Sequence, residues 1–502
     1  MNNLILTTAL PYANGDLHIG HIYEAVLADI KSRTYKKYNK EHTFVSGADC
    51  HGSATTIFCR KNNINIEDHL TKQYDKNKEL YDHFDISFNF SRTDTLLHKF
   101  VVNECLDLIF ENKSQLGNIL ETRDVLGWFD DELKQFLPDR YIKGTCPYCS
   151  CVGQVEICDK CQKKIEDKDL INPKSTVSNG VVYLKANKHL VLNSEKFYDN
   201  LLSDKDKIPA SIREFVLSNK NDNGYIDISR EKPYYGIEIH KDYIDVKEQC
   251  FYVWFDAPIA YVTFAYENYL LEHKYNESRD DFRKFLKQIK FEHVIGKDII
   301  YFHTFLWFNL LKHIVGKNIV EKINVHGWIT QNNDKFSKRN GAALDTNLSK
   351  REVRELRLFF FSKFNGTQTD IEFDDNEVKK TYTTLVVNKF GNFYTRSIKL
   401  LEKHGSIKYK DYTLNSLWLE QIEQGNYRDL YVWLDNQISN LNSKFSDAQL
   451  WKEENSALVI ENLENWLNQW RELYSYLCLI IPEFSDNLDK INKGEFFYLD
   501  QR

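Results

Sequence analysis

The sequence predicts an α/β chain: a parallel-sheet domain, an insertion built on a metal knuckle, and a C-terminal helical bundle. Three observations predict it. Leu4-Ile5-Leu6-Thr7-Thr8-Ala9 is apolar and β-branched without a helical period, and after a turn at Pro11, Asn14 and Gly15 the residues Ile22, Val26 and Ile30 recur at helical spacing. Five of the ten cysteines fall between Cys146 and Cys161. From about Thr381 the apolar pattern is helical throughout.

Composition bounds the rest. A chain of 502 residues holds roughly three or four domains. At 42% hydrophobic and 28% charged residues it is an ordinary globular chain, neither disordered nor a coiled coil. No wholly apolar run exceeds six residues, the one through Leu477 to Ile481 included, against the roughly 20 a membrane helix needs. Leu4 to Ala9 lacks the basic flank of a signal peptide, so a cytoplasmic location is expected. The net charge of −7 argues against a wholesale polyanion-binding surface and leaves room for a local basic face. Methionine occurs only at Met1. Drift in an AT-rich genome, signalled by few prolines and many lysines and asparagines, is one explanation. Synthesis of the chain when charged methionine tRNA is scarce is the other.

The first strand runs into His18-Ile19-Gly20-His21 at the start of a helix. A helix N-terminus after a parallel strand offers free N–H groups and a positive dipole end to phosphate. Two imidazoles three residues apart share one face of the first turn, and each can donate a hydrogen bond to a phosphate oxygen. Gly20 leaves room for a nucleotide against the backbone. A second strand, Thr43-Phe44-Val45, leads to Gly47-Ala48-Asp49-Cys50-His51-Gly52. The insertion carries Cys146-x2-Cys149-x8-Cys158-x2-Cys161, two knuckles whose four thiolates suit tetrahedral zinc. With no histidine or acid to complete an open site, one structural Zn2+ is expected, and Cys151 is a spare thiol. In the last third, Leu430, Leu434, Ile438 and Leu441 form one stripe, and Val459, Leu463, Trp466, Trp470, Leu473 and Leu477 form another, ended by Pro482. Lys379, Lys380, Lys389, Arg396, Lys399 and Lys403 give the first bundle helix a basic face.

Ala9-Leu10-Pro11-Tyr12-Ala13-Asn14-Gly15 running on to His21 resembles the HIGH signature of the class I aminoacyl-tRNA synthetases, in detail their methionyl family. Lys335-Phe336-Ser337-Lys338-Arg339, 314 residues past His21, resembles the partner signature KMSKS, with Phe336 for its methionine and Arg339 for its last serine. It follows a segment, Val325–Ile329, that reads as a strand. The approach Phe136–Thr145 to the knuckle resembles the same family. So do Phe251–Tyr261 and Val294–His303, which match its core pocket strands, and Asn388–Arg396, which matches its anticodon-reading helix.

The resemblance implies a Rossmann-type catalytic domain whose first half spans residues 1–102 and second half 248–328, a connective insertion at 103–247 with its zinc knuckle at 146–161, a KMSKS-like and stem-contact region at 329–380, and an anticodon-binding bundle at 381–502. It implies activation of L-methionine by ATP with Mg2+, then transfer to the 3′ end of tRNA(Met). His18, His21, Lys335 and Lys338 are the implied catalytic residues. Asn14, Gly20, Asp298, Lys335, Ser337 and Lys338 would hold ATP. Leu10, Tyr12, Trp254, Ala257, Pro258 and Ile299 would wall the methionine pocket, with Tyr261 and His303 at the sulfur and Asp49 on the ammonium. A helix N-cap is the competing, compatible reading of Asp49. Asn392, Arg396 and Trp451 would read the anticodon; ordinary core is the other reading of Trp451. Two aromatics of the family pocket are replaced, by Ile226 and Leu306. A monomer is expected, because the appended dimerisation module of some relatives does not follow the bundle. Leucyl, isoleucyl and valyl enzymes carry a large editing insertion that 314 residues hardly accommodate, and a cysteinyl enzyme would have a zinc ligand at Leu10. A non-charging paralogue is disfavoured by retention of both histidines and both lysines.

Overall fold

The computed structural model describes residues 3–137, 141–154, 156–157, 160–161, 164–165, 167–198, 210–218, 224–232, 234–241, 244–246, 248–331, 334–335 and 348–492. Strand β1 (Asn3–Thr8) turns into helix α1 (Ile19–Lys37), followed by β2 (His42–Ala48), α2 (Ser53–Lys61), β3 (Asn89–Arg92) and α3 (Leu96–Glu111). Long antiparallel strands β4 (Leu120–Asp130) and β5 (Val182–Asn193) frame the insertion. The chain returns through α4 (Val253–His273), β6 (Ile289–Gly296) and β7 (Val320–His326). The bundle comprises α5 (Lys350–Lys363), α6 (Asp375–Tyr382), α7 (Asn392–His404), α8 (Ser416–Gln424), α9 (Tyr427–Ala448) and α10 (Ser456–Ile480).

The central sheet has the order β7-β6-β1-β2-β3, and every pairing is parallel. Ile5 of β1 lies opposite both Thr43 and Phe291. Ile5, Leu6, Phe291 and Ile295 are fully buried, as a sheet covered on both faces requires, which is why these strands are apolar without alternation. The chain leaves β1 first toward β2 and later toward β6, so the strand order reverses at β1 and a crevice opens at the carboxyl ends there.

Three expectations are corrected. Phe251–Tyr261 is not a strand: only Gln249–Phe251 is extended, and Val253 begins α4. That helix is buried from Phe255 through Tyr266, so apolar residues fall on all its faces and it shows no period to read. Pro258 inside it has no N–H to return to the carbonyl of Trp254. In Val294–His303 the strand stops at Gly296, and a wide helical turn, Phe302–Trp307, carries His303. Strand β7 ends at His326, while Ile329–Gln331 pairs separately with Ile371–Glu372.

The bundle is not helical throughout either. Gly405, at φ 132°, ends α7, and residues 405–415 form a strap across α10. Its backbone N–H groups are met by side chains: Lys408 donates to Glu464, Lys410 to Asn468 and Asn415 to the Tyr476 hydroxyl. The expected stripe of α9 is buried in full, and that of α10 except for the partly buried Trp466. One apolar core joins Ile22 and Val26 of α1 to Phe359, Tyr427, Leu434 and Trp470 of the bundle. A second packs α3 and α4 against the sheet, and a small third one surrounds Trp128, Ile142, Cys146 and Leu170 in the insertion. Among the described residues no helix is long and apolar enough to cross a membrane.

Candidate active site

The carboxyl ends of β1, β2, β6 and β7 open into a cavity of about 440 Å³. At one end stands the N-terminus of α1. His18 caps it: its Nδ1 accepts from the Gly20 N–H at 3.1 Å, while His21 Nδ1 accepts from the His18 N–H at 3.1 Å. A ring nitrogen that accepts carries no proton, so each neutral ring bears its hydrogen on Nε2. The two rings stack at 3.8 Å and both line the cavity. A helix N-terminus thus presents two oriented N–H donors on top of its dipole. A side chain at position 20 would meet the His18 ring at 3.0 Å, so the space that Gly20 frees is taken by the cap itself.

Asn14, Gly20 and Asp298 line the same cavity. Asp298 accepts from the Trp328 indole N–H at 3.3 Å, and the Lys297 ammonium sits 4.2 Å above the Trp328 ring while pairing with Asp370 at 2.6 Å. The backbone of Lys335 pairs with Thr330; Phe336, Ser337, Lys338 and Arg339 lie outside the described residues.

At the other end, Leu10, Tyr12, Asp49, Trp254, Ala257, Pro258, Tyr261, Ile299 and His303 all line the cavity. Asp49 follows β2 directly and is locked to the first turn by backbone bonds, Ala13 N–H to its carbonyl at 2.8 Å and its own N–H to Pro11 at 3.0 Å. It does not cap α2, whose N-cap is Gly52. Gly52 has φ 126°, and a Cβ there would lie 1.7 Å from the Tyr12 hydroxyl. Asp49 is buried, and its Oδ1 has no hydrogen-bond partner among the described residues. Burial, and then the charge of Asp256, push its carboxyl well above the usual range, against a backbone hydrogen bond from His51.

Tyr261 and His303 are a matched pair. His303 Nδ1 lies 3.1 Å from the Ile299 carbonyl, which can only accept, so Nδ1 carries the proton and Nε2 accepts from the Tyr261 hydroxyl at 2.9 Å. Burial pushes the His303 imidazole down to about 4, so it is neutral at ordinary pH. Trp254 stacks on Phe302 at 3.5 Å and 9°. Leu306 and Ile226 do not line the cavity: Leu306 is buried in the core, and Ile226 packs on that core from the strand Tyr225–Asp227.

Sequence reasoning missed Glu24, Phe302, His326, Tyr234 and Tyr252, which also line the cavity. Glu24 accepts from the Ala9 N–H at 2.7 Å and its other oxygen lies 3.0 Å from His326 Nε2, bracing the β1 turn against β7. Its signal was available, one turn past His21 on the same face of α1.

Away from the cavity, the Cys146, Cys149 and Cys161 sulfurs lie within 4.8 Å of one another. Cys146 and Cys161 are 3.8 Å apart, the edge of a tetrahedron around zinc with Zn–S bonds of about 2.3 Å. Cys158 lies outside the described residues. In the bundle, Asn392 is exposed at the start of α7, and the Arg396 guanidinium sits 4.3 Å over Phe445 and 5.4 Å over Trp451. Trp451 is 44% exposed, so it is not core. Lys389 is paired with Asp435 at 2.6 Å and drops out of the expected basic face.

Residues 4–398 match the family model of tRNA synthetases class I (M). The chain is 32% identical over 415 residues to a methionine–tRNA ligase of Buchnera aphidicola subsp. Schizaphis graminum, covering 80% of this chain and 73% of that protein. It is 29% identical over 518 residues to a methionine–tRNA ligase of Psychrobacter cryohalolentis, covering 97% and 73%. Its fold is similar to that of Mycobacterium tuberculosis methionyl-tRNA synthetase in complex with methionyl-adenylate, with a TM-score of 0.76 at 19% identity over 99% of this chain and 94% of that one.

Proposed function

We infer the chemistry of this cavity from one premise: the chain belongs to the class I tRNA synthetases of the methionine group. It is an aminoacyl-tRNA synthetase that ligates methionine to tRNA, consuming ATP. In the first step the methionine carboxylate attacks the α-phosphorus of ATP, and diphosphate leaves. In the second the terminal ribose hydroxyl of tRNA(Met) attacks the resulting methionyl-adenylate, and AMP leaves. Neither step calls for a protein nucleophile, so catalysis is positioning and charge stabilisation.

Asp49 carries the reading of the amino-acid end. An unpartnered oxygen of a buried carboxylate, beside an otherwise apolar wall, suits a ligand with one ammonium and an apolar tail. A methionine thioether reaching Tyr261 meets the phenol oxygen and ring faces, because the phenolic proton is directed at His303. At the nucleotide end, His18 and His21 donate from Nε2 to phosphate oxygens. Asn14 and Asp298 hold the rest of ATP, with Lys335, Ser337 and Lys338 as its remaining partners, the two ammonium groups neutralising the charge on the departing diphosphate. Magnesium enters with ATP and supplies charge neutralisation on its phosphates.

Cys146, Cys149 and Cys161, with Cys158, are the ligands for one structural zinc; the sulfur spacing supports this. A thiolate site needs a reducing compartment, which favours the cytoplasm. Asn392, Arg396 and Trp451 are the anticodon readers, an exposed indole beside a guanidinium and an amide. All the residues given roles belong to one chain, so a monomer suffices.

Methionine-dependent ATP–diphosphate exchange by His21→Asn tests the reading. Asn keeps an acceptor for the helix cap and removes the Nε2 donor. The expected result is a loss of about 10²- to 10³-fold in kcat with the KM for methionine little changed. An unchanged kcat would remove His21 from the chemistry.

A further inference from the structure

Behind the pocket wall lies a buried polar cluster that the mechanism above does not use. His51 Nδ1 is 2.6 Å from Asp256 Oδ2, and His98 Nε2 is 3.4 Å from the same oxygen. His98 Nδ1 continues to the Thr263 hydroxyl at 2.8 Å. His51 is 3% exposed, and His98 and Asp256 are fully buried. At 2.6 Å the His51–Asp256 contact is a direct hydrogen bond, with no room for an ion between the two atoms.

The cluster joins three elements. His51 stands on the β2–α2 loop two residues past Asp49, His98 on α3, and Asp256 and Thr263 on α4. Asp256 lies within the run that supplies Trp254, Ala257, Pro258 and Tyr261 to the pocket. The backbone N–H of His51 supports the Asp49 carboxylate while its ring is held by Asp256. Asp256 Oδ1, like Asp49 Oδ1, is buried and has no hydrogen-bond partner among the described residues. The charged or titratable groups coupled to Asp256 are His51 and Asp49 from the loop, His98 from α3, Tyr234 and Cys250; Asp94 acts on His98, and Tyr12 and Arg230 act on Tyr234. Holding two carboxylates close together in a dry site is unfavourable until a cation arrives.

We propose that His51, Asp256 and His98 form the positioning device of the ammonium site. The cluster locks the Asp49 loop to the helix that walls the pocket, and it keeps a second negative charge behind Asp49. The cavity therefore discriminates for ligands that carry an ammonium group and against isosteres that lack one. This rests on the reading of Asp49 as the ammonium partner.

Inhibition of methionine-dependent ATP–diphosphate exchange reads that discrimination. L-Methioninol keeps the amine, and 4-(methylthio)butan-1-ol lacks it. In Asp256→Asn, the ratio of their inhibition constants is expected to shrink about tenfold and the KM for methionine to rise about tenfold, with the KM for ATP within twofold. His98→Gln, at a residue that bonds Asp256 and Thr263 and is not itself part of the cavity lining, is expected to shift the ratio in the same direction by about threefold. It carries the test if Asp256→Asn does not fold. Folded variants whose ratio stays within twofold of the wild type would overturn the proposal and leave a structural cluster only. Wild-type enzyme without methionine-dependent exchange would overturn the reading of Asp49 beneath it.

Discussion

Asp49 is where a buried charge awaits its partner. Its carboxyl has one donor, the His51 backbone N–H, and an Oδ1 with none among the described residues; on the proposed reading a ligand ammonium fills that gap, and a charge-assisted hydrogen bond of this kind is worth roughly 1.5–3 kcal/mol. Asp49→Asn should therefore raise the KM for methionine about 10- to 100-fold in the exchange assay and leave the KM for ATP within a few fold. An ATP KM that rises in parallel would mean the whole cavity had shifted. His189, on β5, is held between Asp227 at 2.8 Å and Glu231 at 2.6 Å. Burial works against its charge, but the hydrogen bonds to the two carboxylates outweigh it and raise the imidazole to about 9. Its folded pKa lies above its unfolded one, so its stabilisation is complete below about pH 6.5 and is lost as the pH rises through 9. Urea denaturation between pH 6 and 10 should show this decline in the wild type and not in His189→Gln. The cavity-lining residues were legible where they sit in contiguous motifs at strand ends, as His18, His21, Asp49 and Trp254 do. His98 and Thr263 were not, because each stands alone on a buried helix and acts only through a fold that joins α3 to α4.

The element on which most depends is α1. Its first turn is the histidine cap, and its second half is held by buried charge. Lys31 pairs with Glu292 of β6, which also accepts from Tyr35 and Asn324. Burial raises the Glu292 carboxyl, but Lys31 and these hydrogen bonds prevail and hold it at about 2. Its stabilisation is present above about pH 4.5 and fades as the pH falls toward 2. Lys31→Met leaves Glu292 charged, buried and short of its main partner, and should cost about 3–5 kcal/mol in chemical denaturation. A loss under 1 kcal/mol would mean that water reaches the pair. At this scale the sequence misled where period carries no information. Helix α4 is buried on every face from Phe255 to Tyr266 and reads like a strand, and the 405–415 strap reads as helix because its N–H groups are met from α10, far along the chain. The stripe of α9, and that of α10 as far as Trp470, were legible because one face is dry and the other wet; from Leu473 to Ile480 α10 is buried all round.

Across the whole molecule, α1 is shared between the catalytic sheet and the bundle. Tyr427 donates to the Leu27 carbonyl at 3.0 Å and Trp418 to Thr34 at 3.4 Å. Arg357, fully buried, bonds Asp29 and also the carbonyls of Phe84 and Ile480. Loss of either unit should therefore unfold both, and a single transition is expected in calorimetry for this joint core. The knuckle has its own small core, so chelation or Cys149→Ser should reduce tRNA charging while methionine-dependent exchange stays near the wild-type rate. Equal loss of both would tie the knuckle to the cavity. The central claim, that one cavity activates methionine for one tRNA, is tested most directly by ATP–diphosphate exchange across the twenty amino acids, followed by charging of tRNA with a CAU anticodon. Exchange with methionine alone and charging of that tRNA is the predicted result. Faster exchange with another amino acid, or none with any, would contradict it.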